Sequence, residues 1–321
     1  MTNRSNDGVH QARRLSPGER LLSILLRAMR VKHGKHRMLD RIAPEVWDKS
    51  GRHVIRSIHN REAIVDPHDL VGWHLAILGS FDPEIVEILE RACDPRIREV
   101  FWDIGANKGA CFCSLAARLP SLQVVAIEPQ SSLSTNNLMN LETICPGRYE
   151  YVRAGIGEEE TELVLTIPGS NLGRASLHLR PSGPHDRQET IKIRTATQVA
   201  DNSRFGWPTI AKIDVEGHEP QVFGSLAPCI EARTCKVIVF ENHASESGAF
   251  EAVRSATQPH GYDIYGIRKS PWSTRLMPTE KQLHHVTDYA VIRRDQAVGN
   301  RKIAEIRTAS ADVSPITPDM L

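Results

Sequence analysis

Four places in the chain set acidic or polar side chains directly after short apolar runs, and these are where chemistry is to be expected. Asp103 follows Val100-Phe-Trp and leads into Gly105-Ala-Asn107-Lys-Gly109. Glu128 follows Leu122 to Ile127, Asp214 and Glu216 follow Thr209 to Ile213, and Glu241 and His243 follow Lys236 to Phe240. A strand that runs into a glycine-bearing turn and a helix leaves backbone N–H groups facing outward, where a nucleoside or an anionic group can be held. The spacing argues against a dinucleotide. Asn107 stands where a second glycine would let a pyrophosphate approach, and Asp103 sets a negative charge beside it. A sulfonium nucleoside with an amino-acid tail suits the turn better. Asp103 would receive its ammonium group, and Glu128, 23 residues beyond Gly105, would accept its ribose hydroxyls. That is the layout expected for S-adenosylmethionine.

Methyl transfer to a hydroxyl needs in-line positioning and gains from a base. His243 has a suitable intrinsic pKa, with Asp214 or Glu216 accepting or orienting the proton. Lys212, midway along an apolar run, is read as the partner of a nearby carboxylate rather than as a reactant. Glu219 either contacts substrate or stabilises a helix N-terminus through the dipole. Asp214, Glu216, Glu241 and His243 offer hard ligand atoms, but no metal is assigned to them.

The elements that must position these residues follow from pattern. Apolar runs at 100–104, 122–129, 149–154, 209–213 and 236–243 read as strands, and helices are expected over 110–119, 131–141, 219–226 and 249–258. With 262–267 and a hairpin-like last strand at 284–294, this is an α/β fold, a doubly wound, mostly parallel seven-stranded sheet of Rossmann-like type. Leu163 to Ile167 and Thr190 to Thr195 alternate as antiparallel strands around a Gly/Ser/Pro-rich loop, a β insertion that could serve as a lid. Asp82 before Pro83 reads as the N-cap of a helix over 84–91. Upstream, 52–58 and 63–65 are strand-like. Ser16-Pro-Gly-Glu19 starts a basic amphipathic helix whose Leu22, Leu25, Leu26 and Met29 are expected to pack on the domain rather than on a membrane. The organisation expected is an N-terminal extension (1–60), partly disordered, a catalytic domain (61–295) and a polar tail (296–321).

Bulk properties narrow the partners. The 321 residues carry a formal charge of +1, and aromatic residues make up 5%, so neither a global field nor an aromatic surface points to nucleic acid. Six cysteines without a CxxC pair or zinc-site spacing suggest reduced, packed thiols. No transmembrane run or signal peptide is legible. The expectation is a cytoplasmic protein with no stable membrane insertion, acting on a small-molecule or glycan acceptor. Its oligomeric state is not legible.

Phe101-Trp-Asp-Ile-Gly-Ala-Asn-Lys-Gly109, Ala126-Ile-Glu-Pro129, Ala175-Ser-Leu177, Ala211-Lys-Ile-Asp-Val-Glu-Gly-His-Glu219 and Val239-Phe-Glu-Asn-His243 resemble the FkbM family of S-adenosylmethionine-dependent methyltransferases. Gly79-Ser-Phe-Asp-Pro-Glu84 and Thr287-Asp-Tyr-Ala290 resemble its flanks, so the likeness runs over about residues 70 to 293. The resemblance implies a class I methyltransferase fold and transfer to a hydroxyl oxygen of a sugar or secondary metabolite. Carried over, Asp103, Gly105, Asn107, Gly109 and Glu128 would bind the cofactor, and Asp214, Glu216 and Glu219 would border the transfer site. Together with the chemistry of the residues, the expected catalytic set is Asp214, Glu216 and His243, with Glu219, Glu241 and Ser176 facing the substrate. The rival readings are a catalytically silent binding module in a biosynthetic complex, and a nitrogen or RNA methyltransferase.

Overall fold

The computed structural model describes residues 12–31, 33–42, 53–67, 70–169, 175–183, 185–242, 248–300, 303 and 305–306. Most of the segment expected to be disordered at the N-terminus, the tail after 306 and His243 lie outside these residues. The chain begins with β1 (Arg13–Arg14), α1 (Pro17–Ala28), α2 (Lys35–Ile42), β2 (Val54–Ile58), β3 (Arg61–Val65), α3 (Leu70–Leu78) and α4 (Pro83–Ala92). The central part is β4 (Val100–Ile104), α5 (Ala110–Arg118), β5 (Gln123–Ile127), α6 (Ser131–Ile144) and β6 (Tyr149–Val152). An insertion follows as β7 (Gly155–Ile156), β8 (Thr161–Ile167) and β9 (Arg187–Arg194), then α7 (Ala196–Asn202), β10 (Ile210–Ile213), α8 (Glu219–Ser225), α9 (Ala227–Glu231) and β11 (Val237–Glu241). The chain closes with α10 (Ala249–Thr257), β12 (Tyr262–Lys269), β13 (Thr274–Pro278), β14 (Asp288–Arg293) and α11 (Arg294–Gly299).

The main sheet runs β13-β12-β14-β11-β10-β4-β5-β6, parallel from β11 to β6 and antiparallel beyond β11. It has eight strands rather than seven. The extra one, β13, is a short edge strand that ends in Pro278, and it pairs only with β12. Edge strands of this length carry little periodicity, which is why the sequence did not announce it. Strands β4, β5, β10 and β11 are buried on both faces, so they read as apolar runs. Their alternation divides the core in two. Phe101, Val124, Ala126, Ile210, Val237 and Val239 join the core under α3 to α6, while Trp102, Val125, Ala211, Ile238 and Phe240 join the one under α7 to α10.

After β6 the chain returns to lay β10 beside β4, so the strand order reverses between them. A crevice opens at the carboxyl ends of strands at such a reversal. The register is specific there: Asp103 lies opposite both Lys212 and Ala126, Lys212 opposite Val239, and Glu241 opposite Asp288. Directly opposed residues share a face, so these polar residues gather on the α3–α6 face of one sheet edge.

The N-terminal elements share the core of that face, with Leu15, Leu26, Leu39, Val54 and Val65 in one cluster with residues of α3 to α5. Helix α1 starts with the capping box expected: Glu19 N–H donates to Ser16 Oγ (3.3 Å) and Ser16 N–H to a Glu19 carboxylate oxygen (2.7 Å). Its apolar residues depart from expectation. Leu26 is buried and Leu22 and Met29 partly so, but Leu25 is 58% exposed, as are neighbouring Leu21 and Ile24 to similar degrees. Asp82 also departs. It precedes α4 with left-handed backbone (φ 43°) and no side-chain cap, because the side chain is turned to the crevice described next.

Candidate active site

The turn after β4 is shaped by backbone contacts that only small residues permit. Gly105 has φ 76°, and a Cβ there would sit 1.8 Å from the Asp214 carbonyl oxygen. Asp214 N–H donates to the Ile104 carbonyl (3.0 Å), and Gly105 and Ala106 N–H groups both donate to that of Ile127 (3.0 Å each). The exits of β4, β5 and β10 are thus joined at one point. Gly109 is likewise left-handed (φ 75°), and its missing side chain makes room for the Phe112 ring. Asn107, with φ 48°, donates its N–H to Glu128 (2.8 Å) and accepts from Asn137 Nδ2 at its carbonyl (2.7 Å). The other Glu128 oxygen accepts from Gln130 N–H (2.9 Å). Burial pushes the Glu128 carboxyl up to about 7, against the pull of these N–H groups.

Two cavities meet here. The larger, about 270 Å³, is bordered by Asp82, Lys108, Lys212, Glu241, Lys269 and Asp288. The smaller runs from Glu128 over the apolar side chains of Ile127, Pro129, Ile156 and Leu177. Asn107, Asp214 and Glu216 line both. The Asn107 side-chain oxygen is buried with no hydrogen-bond partner among the described residues, an acceptor facing the place where a ligand donor would satisfy it.

Asp103 takes a different place from the one expected. It is fully buried and lines neither cavity. One oxygen accepts from Phe112 N–H in the first turn of α5 (3.1 Å), and the other lies 3.9 Å from Lys212 Nζ. Burial pushes its carboxyl up to about 6, against the attraction of Lys212. Lys212 Nζ donates to Asp214 at 2.9 Å, as the sequence suggested for a lysine inside a strand. Burial opposes the charge on Lys212, yet Asp214 and Asp103 together hold its pKa above the ordinary value.

Asp214, Glu216 and Glu241 come together, each offering an oxygen within 4.8 Å of the others. Burial, reinforced by Asp214 and Asp288, pushes the Glu241 carboxyl far above its usual range, and it hydrogen-bonds to Asp214. These three are the described residues that approach metal-ligand spacing, and Lys212 supplies a cation in the same place. Ser176 does not line either cavity. Its hydroxyl donates to the Glu216 carbonyl (2.8 Å) and accepts from His178 N–H (3.1 Å), which pins the insertion loop onto the turn after β10. Glu216 is left-handed (φ 52°). Glu219 is buried at the start of α8, where it accepts from Val215 N–H (3.1 Å). It closes the 215–219 turn and lies outside the lining of both cavities, so burial replaces the expected exposure to substrate.

A methyltransferase FkbM domain matches residues 103–264, just over half of the chain and the stretch that holds the exits of β4, β5, β10 and β11. The chain belongs to the FkbM methyltransferase family. Hexuronic acid methyltransferase AglP of Haloferax volcanii is 25% identical to this FkbM protein over 174 residues, 54% of this chain and 66% of the relative. The match therefore spans slightly less than two thirds of that relative's length. Similar solved structures include a precorrin-6y C5,15-methyltransferase from Geobacter metallireducens (12% identity, 65% of this chain and 89% of that one, TM-score 0.36). Another is cofactor-bound Rv0187 from MTB (13% identity, 87% and 99%, TM-score 0.40).

Asp82, Lys269 and Asp288 of this FkbM chain lie at the crevice although the sequence does not mark them as site residues. Lys269 bonds Asp288 (2.9 Å) and Glu84, and Asp82, Lys269 and Asp288 all line the larger cavity. Burial, with Asp288 and Glu84 near, pushes Asp82 up to about 8. Asp82 and Asp288 both stand in the flanking segments that resemble the family, which is the signal available for them; locally, Asp82-Pro83 reads as a helix cap.

Proposed function

We propose that this chain is an S-adenosylmethionine-dependent O-methyltransferase acting on a hydroxyl of a sugar, glycan or secondary metabolite. The observation that carries the reading is that Asn107, Asp214 and Glu216 line both cavities, so a nucleoside held on one side and an acceptor on the other would meet at those residues. The cofactor fits the residues present. Glu128 lies under the smaller cavity with apolar walls suited to a base, and the orphan Asn107 oxygen awaits a donor. When bound, S-adenosylmethionine supplies an activated methyl group.

The chain's own residues would do the rest. Glu128 accepts ribose hydroxyls while its backbone bonds hold it in place. Asp82, which borders the larger cavity where Asp103 does not, receives the ammonium group. Asp103 acts indirectly, by fixing α5 and Lys212. Lys212 weakens Asp214 as a base by pairing with it, and Glu241 stays protonated and donates to it, so Asp214 orients the acceptor. Glu216 would accept the proton of the acceptor hydroxyl. His243, the other base expected from sequence, lies outside the described residues. Net charge, low aromatic content and the name of the Haloferax relative favour a sugar over RNA as acceptor.

Purified protein incubated with methyl-labelled cofactor and a panel of free and glycosidic sugars tests this. Label transferred to an acceptor oxygen is expected. Tight S-adenosylhomocysteine binding with no turnover on any acceptor overturns it in favour of a silent binding module.

A further inference from the structure

A second surface feature lies away from the crevice, on α1. Leu21, Ile24, Leu25 and Ala28 have the i, i+3, i+4, i+7 spacing of one helical face, and that face points away from the domain. The three large residues are 59%, 63% and 58% exposed. Single exposed leucines are ordinary, but a contiguous helical stripe of them marks an interaction surface.

Beside the stripe, sharing Ile24, is a groove lined by Arg20, Ser23, Ile24, Arg27 and Arg56. Arg56 is 8% exposed and donates to Ser23 Oγ (3.0 Å) and the Ile77 carbonyl (3.4 Å). Its Nε is buried without a partner, and no carboxylate pairs with Arg20, Arg27 or Arg56 among the described residues. Burial and the neighbouring Arg27 both oppose its charge, with no anion to offset them. Guanidinium groups without a counterion suit a phosphate, and Arg is the side chain whose donor geometry matches one. The acids of α1 and α2 are already committed: Glu19 to Arg13, and Asp40 to His74. A second copy docked stripe to stripe would bring uncompensated arginines together, whereas an anionic bilayer offers apolar chains and phosphates at the matching depths.

We propose that α1 docks this protein on an anionic phospholipid surface, with Leu21, Ile24, Leu25 and Ala28 against the acyl boundary and a headgroup phosphate in the Arg20–Arg27–Arg56 groove. The attachment is peripheral; no described helix is long and apolar enough to cross a membrane. It stands independently of the methyl-transfer reading.

Full-length protein is sedimented with vesicles of phosphatidylcholine alone and of phosphatidylcholine mixed with phosphatidylglycerol. Binding to the mixed vesicles only, weakening with added salt, is expected. Arg20→Gln with Arg27→Gln should weaken it roughly 25-fold, taking about fivefold per basic residue at such a surface. Ile24→Glu with Leu25→Glu should weaken it at least as much; both positions are solvent-exposed, and an unchanged melting curve certifies the fold. Equal binding by either double variant, or no vesicle binding by the parent, overturns the proposal. So does inorganic phosphate bound in the groove without vesicle binding, or a dimer dispersed by the glutamate pair without lipid.

Discussion

Replacing Lys212 with Gln should destabilise the protein in a strongly pH-dependent way, because its buried partner can escape by taking up a proton. Asp103 is fully buried and 3.9 Å from Lys212 Nζ. At an effective dielectric of about 20, that separation corresponds to about 4 kcal/mol of attraction. The whole amount cannot be lost at neutral pH. With Lys212 present the Asp103 carboxyl sits at about 6, so holding it ionised at pH 7 is worth only about 1.4 kcal/mol, and a protonated Asp103 loses no more than that. At pH 9 the same bound rises to about 4 kcal/mol, where the Coulomb term takes over. The sign follows from linkage. Removing the lysine raises the native pKa of Asp103 further above its unfolded value, so the folded variant binds more protons and loses stability as pH rises. The Asp214 pair, 31% exposed on the acid side, adds a smaller, weakly pH-dependent loss. Urea unfolding followed by circular dichroism at pH 6, 7 and 9 would read this directly. Lys212→Gln should cost little at pH 6 and about 3–4 kcal/mol more at pH 9. Adding Asp103→Asn should remove most of the pH dependence of that cost, leaving the smaller share that Lys212 exerts on Asp82 and Glu128. An equal cost for Lys212→Gln at pH 6 and 9 would show that Asp103 and Lys212 are not coupled through a buried charge, and would refute the reasoning.

Gly105→Ala should lose measurable S-adenosylhomocysteine binding in calorimetry. Its backbone at φ 76° costs about 1–2 kcal/mol for an alanine, and its Cβ would meet the Asp214 carbonyl at 1.8 Å, so normal binding contradicts the proposed cofactor turn. Asp82→Asn tolerates the left-handed backbone and should weaken S-adenosylhomocysteine about tenfold to a hundredfold, the range for loss of a charged hydrogen bond. Because the Asp82 carboxyl stands at about 8 and must be ionised to hold an ammonium group, parent affinity should rise between pH 7 and 8, and the asparagine variant should not follow it; a parent affinity flat over that range sinks the assignment. Ligand-free stability should fall from pH 6.5 to 9. Burial raises Glu128 to about 7 and Asp82 to about 8, so the native state holds more protons than the unfolded chain through that window. His36, pushed down to about 4 by burial, acts in the opposite sense only below pH 6.5. Stability that climbs toward pH 9 would count against both carboxyl placements.

Burial explains which parts of this site the amino-acid sequence could disclose. Strands covered on both faces leave an apolar run in which any polar residue stands out, and Asp103, Glu128, Lys212 and Glu241 were all legible for that reason. Period-two alternation also sets the faces of these residues. Phe101 and Asp103, Ile210 and Lys212, and Val239 and Glu241 are each two apart on their strands, so the polar member of each pair shares the face of its apolar predecessor. The gathering of these three on one side of one edge is therefore implicit in the alternation once the strand order is known. Depth was not implicit. Asp103 and Glu219 are acids next to the crevice in sequence and behind its wall in space, each occupied by a backbone N–H, and no spacing rule separates such an acid from one that faces a ligand. Orientation outside the strands was equally hidden. Asp82-Pro83 has the local signature of a helix cap, but packing turns its backbone left-handed and the carboxyl toward Lys269 and Asp288. In α1 the amphipathic period was plain, yet it could not say that the side carrying Leu21, Ile24 and Leu25 would be left outside while Ser23 and Leu26 went in. In each of these cases the local pattern fixed the residue type and the tertiary fold chose the face, so residues near the crevice that look like caps, and helix stripes that look like core, are where a structure changes the functional reading most.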